Sequence, residues 1–243
     1  MKFIYSVLVV AAVSMISCKP STESKESSEA TAATSNDSTA AATPGVKALF
    51  DGKSLAGWKF FKGKENNSWE VAEGTLHCKP FDGHEKRADL ITTDQYGNYE
   101  LSFDWKVAAK SNSGVMYKVT EEFDEPYLSG PEYQVLDDIG WPGKIEPWQK
   151  TASCYAMYVA TAAPKPVGEW NNSKIVVNGN HVEHWLNGVK VVEYEINSDD
   201  WKKRKDEYKW KDAKGYAQSA KGYIALQDHG GEVWFKNIVI KEI

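Results

Sequence analysis

Three short groups of residues in this 243-residue chain carry side chains that could move protons or hold a polar ligand. Gln227-Asp228-His229 closes the β-type run Gly222–Leu226 and stands directly before Gly230-Gly231. Glu132-Tyr133-Gln134-Val135-Leu136 reads with period two, so Glu132, Gln134 and Leu136 share one face and Tyr133 and Val135 the other. Asn112-Ser113-Gly114 leads into Val115-Met116-Tyr117-Lys118. A carboxylate and an amide side by side on one sheet face form a hydrogen-bonding surface for hydroxyl groups. A histidine titrates near neutrality and suits proton transfer. If strand alternation runs on to residue 229, Gln227 and His229 point one way and Asp228 the other. Lys118, at a strand end, offers a cation to a developing oxyanion. Each group also has a plainer reading: a solvent-facing polar edge strand, a tight turn and a structural turn histidine.

The elements that must position these groups are strands. Tyr99–Val107 alternates strictly, with Tyr99, Leu101, Phe103, Trp105 and Val107 on one face, as a half-buried antiparallel strand does. Lys174–Val177 and His181–Leu186 flank Asn178-Gly179-Asn180. His181–Leu186 and Val189–Tyr194 flank Asn187-Gly188, a strong two-residue hairpin signal. Trp69–Val71, Thr75–Cys78, Val115–Val119, Glu132–Leu136 and Val233–Ile240 read as further strands. The two segments around Gly230-Gly231 read as strands meeting at a tight turn. Helical character is confined to Asp199–Lys214, as a short helix or an ordered loop. Many strands with turn signals every ten or so residues predict an all-β, two-sheet antiparallel sandwich. Of ten tryptophans, Trp58, Trp141, Trp148 and Trp170 fall in Gly/Pro-rich contexts where a ring can stack on a sugar or anchor a loop.

The first residues read as a lipoprotein leader. Lys2 is the charged start, Phe3–Ile16 the apolar stretch, and Met15-Ile16-Ser17-Cys18 resembles a lipobox, which predicts cleavage after residue 17 and lipidation of Cys18. Residues 18–45 hold Ser, Thr, Glu, Lys and Ala and no aromatic, a composition that cannot offset its ordering entropy, so they read as a tether. The folded domain is expected over 46–243, in a lipid-anchored protein of the bacterial cell envelope. The formal charge is −5, with acidic residues and lysines interspersed, which argues against nucleic acid as a partner. Cys78 and Cys154 could pair outside the cytosol, or stand as two buried thiols.

Longer motifs carry a resemblance. Leu49-Phe-Asp-Gly-Lys-Ser-Leu-Ala-Gly-Trp58, Gly130-Pro-Glu-Tyr-Gln-Val-Leu-Asp-Asp138, Gly168-Glu-Trp-Asn171, His181-Val-Glu-His-Trp-Leu-Asn-Gly188, Leu226-Gln-Asp-His-Gly230 and Val233-Trp-Phe-Lys-Asn-Ile238 follow one another as in the 3-keto-disaccharide hydrolase family, which the chain resembles from Leu49 to Ile243. The resemblance implies a concanavalin A-like lectin/glucanase jelly roll, a ligand groove on one sheet and cleavage of glycosides oxidised to a ketone at sugar C3. Lys118 and Lys236 stand where arginine is frequent in that family, and Ile139-Gly-Trp-Pro142 replaces a more polar stretch. The Glu132-x-Gln134-x-Leu136 strand lacks the second carboxylate that direct two-carboxylate hydrolysis needs.

The implied chemistry sets the roles. A C3 ketone acidifies the C2 proton; a base removes it, the enolate expels the C1 glycosidic oxygen, and water adds back. Glu132 and His229 are the expected acid and base, in either order. Asn112, Lys118, Gln134, Trp185 and Gln227 are expected to bind the carbohydrate substrate. No cofactor is certain, and a divalent cation such as calcium, held by Asp137, Asp138 and loop carbonyls, is a feature jelly rolls often have. Two alternatives stand beside this reading: a carbohydrate-binding lipoprotein without activity, and a conventional glycosidase.

Overall fold

Tyr99–Val107 alternates between buried and half-buried positions without a break, and it forms the centre of the larger of two sheets. The computed structural model describes residues 45–243 except 208. The leader, Cys18 and the tract up to 44 lie outside the described residues. Thirteen strands follow in order: β1 Val46–Ala48, β2 Trp58–Phe60, β3 Trp69–Ala72, β4 Thr75–Cys78, β5 Leu90–Thr92, β6 Tyr99–Val107, β7 Asn112–Val119, β8 Glu132–Leu136, β9 Asn171–Asn178, β10 His181–Leu186, β11 Val189–Glu195, β12 Tyr223–Leu226 and β13 Val233–Glu242. One helix, α1 Asp199–Glu207, sits between β11 and β12.

The eight-stranded sheet runs β11-β10-β9-β6-β13-β4-β3, and β1 also pairs with β13. The five-stranded sheet runs β2-β5-β12-β7-β8. All strand pairings are antiparallel. The fold is therefore an all-β two-sheet jelly-roll sandwich. Its core lies between the sheets, where Leu101, Phe103, Trp105 and Phe235 meet Val115, Tyr117, Tyr133 and Val135. Phe103 meets Tyr133 edge to face at 5.6 Å, a geometry worth about 0.5–1.5 kcal/mol beyond the area it buries. With Tyr133 and Val135 facing the core, alternation turns Glu132 and Gln134 to the outer face of the smaller sheet.

Two sequence expectations change in three dimensions. β12 and β13, on either side of Gly230-Gly231, do not form a hairpin: β12 belongs to the smaller sheet and β13 to the larger. The segment carrying Gln227, Asp228 and His229 crosses between sheets. β8 is the last strand of its sheet, yet every residue in it is buried. Backbone bonds from Gln134 N to Ser153 O (3.1 Å), Ala152 N to Gln134 O (2.8 Å) and Tyr155 N to Glu132 O (3.0 Å) close its free edge. Residues 152–155 thus seal a strand that would otherwise template aggregation.

The helix starts at Ser198, whose hydroxyl accepts the Trp201 amide at 3.1 Å, as an N-cap does. Asp199 and Asp200 in the first turn and Arg204 and Lys205 in the last match its dipole. Its buried Trp201 enters a ring column. Successive centroid distances are 4.7 Å for Tyr158–Tyr194, 5.1 Å for Tyr194–Trp201, 5.6 Å for Trp201–Tyr216 and 4.5 Å for Tyr216–Trp210. This column anchors the segment after the helix. Cys78 and Cys154 are free and buried. Burial pushes both thiols upward, Cys154 to about 12, so both are unreactive at neutral pH.

Candidate active site

A cleft of about 230 Å³ opens on the outer face of the smaller sheet, lined by Asn112, Tyr127, Glu132, Gln134, Tyr155, Lys209, Gln227 and His229. Adjacent strands build its floor. β7 and β8 pair with Gly114 opposite Gln134 and Met116 opposite Glu132. Gly114 is required by space: a Cβ there would stand within 2.8 Å of the Glu132 side-chain carbons. Glu132 is 4 % exposed, and its carboxyl has no hydrogen-bond partner among the described residues. Burial pushes its pKa up to about 8; Lys209 opposes the rise and Asp89 adds to it. The carboxyl is mostly protonated at pH 7 and can donate a proton.

Local bonds explain how the crossing segment presents its side chains. Gln227 N donates to Gly114 O at 2.9 Å, and the Ser113 hydroxyl donates to Gln227 O at 2.7 Å. Asp228 turns away from the cleft. Its carboxylate accepts the Ser68 hydroxyl at 2.6 Å and Arg87 Nε at 2.7 Å, and its amide donates to Asp89 at 2.8 Å. With Asp228 clamped on one side, Gln227 and His229 point into the cleft on the other. His229 lies exposed at the rim, edge to face with Trp141 at 5.9 Å. Desolvation by its surroundings holds its pKa below the ordinary imidazole value. It is therefore mostly neutral at pH 7 and can accept a proton. One cleft thus holds a carboxyl kept protonated and an imidazole kept neutral, the division of labour that acid–base catalysis needs.

The amide oxygens of Asn112, Gln134 and Gln227 are buried without a hydrogen-bond partner. Each such group costs about 1–3 kcal/mol, and all three belong to residues lining this cleft. Ligand hydroxyls would relieve that cost.

The structure brings together Glu132, His229, Asn112, Gln134 and Gln227, and it places Lys118 and Trp185 elsewhere. Tyr223 pairs with Val119 and Ala225 with Met116, so β7 has one residue more than β12 over that stretch. Lys118 takes up the extra residue with a left-handed φ of 58°, and this bulge turns its side chain out of the alternation. Its ammonium donates to Ser219 O at 3.1 Å, in a different cavity. Trp185 lies on the outer face of the larger sheet, where its Nε1 donates to Glu183 at 2.7 Å and Lys174 covers its ring.

Asp137 and Asp138, the residues weighed as cation ligands, sit in turns beyond β8. Asp137 accepts the amides of Lys110, Ile139 and Gly140 at 2.7, 3.1 and 2.7 Å. Asp138 accepts the Thr151 amide at 2.9 Å. These carboxylates lock turns: both Asp137 oxygens and Asp138 Oδ1 accept bonds from the protein itself. Among the described residues, His181, Glu183 and Glu193 have metal-ligand spacing, but the Lys190 ammonium sits among them, 3.1 and 2.7 Å from the two carboxylates. Of the tryptophans in Gly/Pro-rich contexts, Trp58 is a core residue bonded to Leu49 O, Trp170 lies under Lys236 on the larger sheet, Trp148 packs on Tyr155 and Trp141 packs on His229.

Sequence reasoning missed Lys209, Tyr127 and Tyr155. The Lys209 ammonium stands 4.9 Å from the Tyr127 ring, 5.0 Å from Tyr155 and 4.8 Å from Trp210, within the range of cation–π attraction. Desolvation lowers its pKa, and Glu132 opposes that shift. Trp210, next in the chain, donates its Nε1 to Tyr155 O at 3.0 Å and so fixes the lysine over the cleft. No local signal marks Lys209 among the many charges of residues 199–214.

An antiparallel two-sheet sandwich with a polar cleft on the outer face of its smaller sheet is a jelly-roll domain of the carbohydrate-active kind in outline. The chain belongs to the 3-keto-alpha-glucoside-1,2-lyase-like domain family, which matches residues 45–241. A 3-keto-disaccharide hydrolase of Bacteroides thetaiotaomicron is 34% identical over 227 residues, covering 81% of this chain and 78% of the relative. A solved structure from Parabacteroides distasonis, provisionally named a glycosyl hydrolase, is 39% identical with a TM-score of 0.75, over 82% of this chain and 94% of that one. A Bacillus subtilis protein with a galectin-like fold is 10% identical with a TM-score of 0.54, over 81% and 94% of the two chains, a likeness of fold alone.

Proposed function

We propose that this domain cleaves 3-keto-glycosides by removing the proton at C2, eliminating the C1 substituent and adding water. The observation that carries this reading is the convergence, in one cleft, of the buried Glu132 carboxyl, the His229 imidazole, the Lys209 ammonium and three unpartnered amide oxygens. His229 takes the C2 proton, and the electron pair moves into an enolate whose oxygen is the former C3 ketone. The enolate then expels the glycosidic oxygen, which Glu132 protonates. Water adds to the resulting C1–C2 double bond and returns the 3-keto sugar. Lys209 is the cation in the cleft and stabilises the C3 oxyanion, the task expected of Lys118 from sequence. Such preorganised charge is usually the largest catalytic contribution. Asn112, Gln134 and Gln227 hold the ring hydroxyls. The cleft is small beside ligand pockets of about 300 Å³ and above, which suits a single sugar unit. The B. thetaiotaomicron relative supports the substrate class by its name. The leader supports a protein anchored through Cys18 to an envelope membrane.

The experiment is a label exchange. Substrate deuterated at C2 is expected to lose its label to solvent during turnover, and the parent glycoside without the ketone is expected to be inert. Glu132→Gln and His229→Ala are each expected to lower turnover by on the order of 10²–10⁴. Full retention of deuterium in the product, with both variants active, would overturn the reading in favour of direct displacement at C1. Saturable sugar binding with no turnover would leave a binding domain.

A further inference from the structure

The bulge that removes Lys118 from the catalytic cleft delivers it to a second cavity. That cavity measures about 530 Å³ against 230 Å³ for the cleft. It lies at the far end of β7 from Asn112, where the β9–β10 turn, the segment before β6 and the segment before β12 meet. Gln95, Asn98, Asn180, Asn197 and Gln218 line it with amides. Lys118 also lines it and is 4 % exposed. Its ammonium makes one hydrogen bond, to Ser219 O at 3.1 Å, and no carboxylate of the described residues comes within ion-pair reach. Two N–H donors and a full charge are left over. A buried cation without a counter-charge is costly.

The backbone goes out of its way to create this arrangement. Lys118 has φ 58°, and Ala217, also in the lining, has φ 61°. Side chains other than glycine and asparagine rarely adopt that region, and such strain gathers at functional sites. Gly222 packs so closely on the bulge that a Cβ would stand 2.6 Å from Val119 N. Glycine there lets β12 close on the strained residue.

The lining also defines a ligand. One buried ammonium matches one negative charge. Lys221 and Glu242 also line the cavity with opposite charges, and both are exposed. The amides match hydroxyl groups. No aromatic ring lines the cavity, so nothing there stacks on a flat group, and Ile243 is the one large apolar side chain in the lining. We propose that this cavity is a second ligand site, distinct from the catalytic cleft, which takes a small polyhydroxylated monocarboxylic acid, an aldonate or a uronate, with its carboxylate on Lys118.

Calorimetric titration of the full chain with sodium D-gluconate and sodium D-glucuronate tests this, with D-glucose as the neutral probe. At least one acid is expected to bind, and glucose to bind more than about tenfold more weakly. Lys118→Met keeps the apolar stem and removes the charge; it is expected to lose at least about tenfold in affinity. Asn180→Asp, at an exposed turn position, adds a repelling charge and is expected to weaken binding similarly; it decides the matter if Lys118→Met does not fold. Glu132→Gln is expected to leave the affinity unchanged, which separates this site from the cleft and from the reaction proposed there. The proposal is overturned by absence of acid binding, by equal binding of glucose, by unchanged affinity in a folded Lys118→Met or Asn180→Asp chain, or by loss of binding in Glu132→Gln.

Discussion

Gly114 lies against the Glu132 carboxyl, and the closeness leaves no room for a side chain: a Cβ at 114 would come within 2.8 Å of both Glu132 Cγ and Cδ. Neighbouring strands create the contact, since Gly114 stands opposite Gln134 in the β7–β8 register. The missing side chain gives Glu132 its place and lets it be buried deeply enough to stay protonated.

Gly114→Ala is therefore expected to act through Glu132. Forcing one methyl into a packed site costs roughly 1–3 kcal/mol, so the variant should fold with a lowered melting temperature. A misplacement of about 1 Å can cost on the order of 10² in rate, and a loss of that size in kcat is expected. Steady-state kinetics on a 3-keto-glycoside check it; an unchanged kcat would show that the position of Glu132 does not limit the reaction.

The pH dependence follows from the same two groups. In the proposed reaction the active form has Glu132 protonated and His229 neutral, so kcat/KM should form a bell. Its upper limb should fall near pH 8, where Glu132 ionises, and its lower limb below the ordinary imidazole value. Stability carries the same signature. The Glu132 pKa is raised on folding from 4.5 to about 8. Its contribution is fully present below pH 4.5 and is lost as pH rises through 8, with a slope of up to about 1.4 kcal/mol per pH unit between the two. Asp89, raised to about 7 by burial, acts in the same direction. Glu132→Gln should therefore flatten, without abolishing, the decline in stability between pH 5 and 8, as measured by denaturant titration.

The hairpin joining β10 and β11 makes a simpler test. Asn187 and Gly188 have φ 49° and 85°, both positive as a type I′ turn requires. A side chain at 188 meets no neighbour within 4 Å, so only backbone strain opposes it. Gly188→Val should destabilise by about 1–3 kcal/mol and leave kcat alone. Equal melting temperatures of variant and parent would remove the strain argument.

Location is a matter for Cys18. Cys18→Ala is expected to shift the protein from the membrane fraction to the soluble envelope fraction. Unchanged fractionation would rule out lipidation as the anchor.

The sequence by itself determined the parts that depend on near neighbours. Strict alternation marked Tyr99–Val107, and Asn-Gly marked the β10–β11 turn, because side-chain direction in a strand and φ in a two-residue turn are local properties. Period two also put Glu132 with Gln134, and Gln227 with His229, on shared faces. Tertiary structure decided the rest. One extra residue in β7 against β12 turned Lys118 out of the cleft, and a bulge exists only in the pairing of two strands. A ring column built from four separate segments brought in Lys209, which is far from Glu132 along the chain and unmarked by its neighbours. Whether β12 and β13 formed a hairpin or joined two sheets depended on which strands each met. The protonation of Glu132 and His229 was beyond the sequence for the same reason: desolvation comes from the atoms that surround a group in space, and in this cleft strands, turns and the segment after the helix all contribute them.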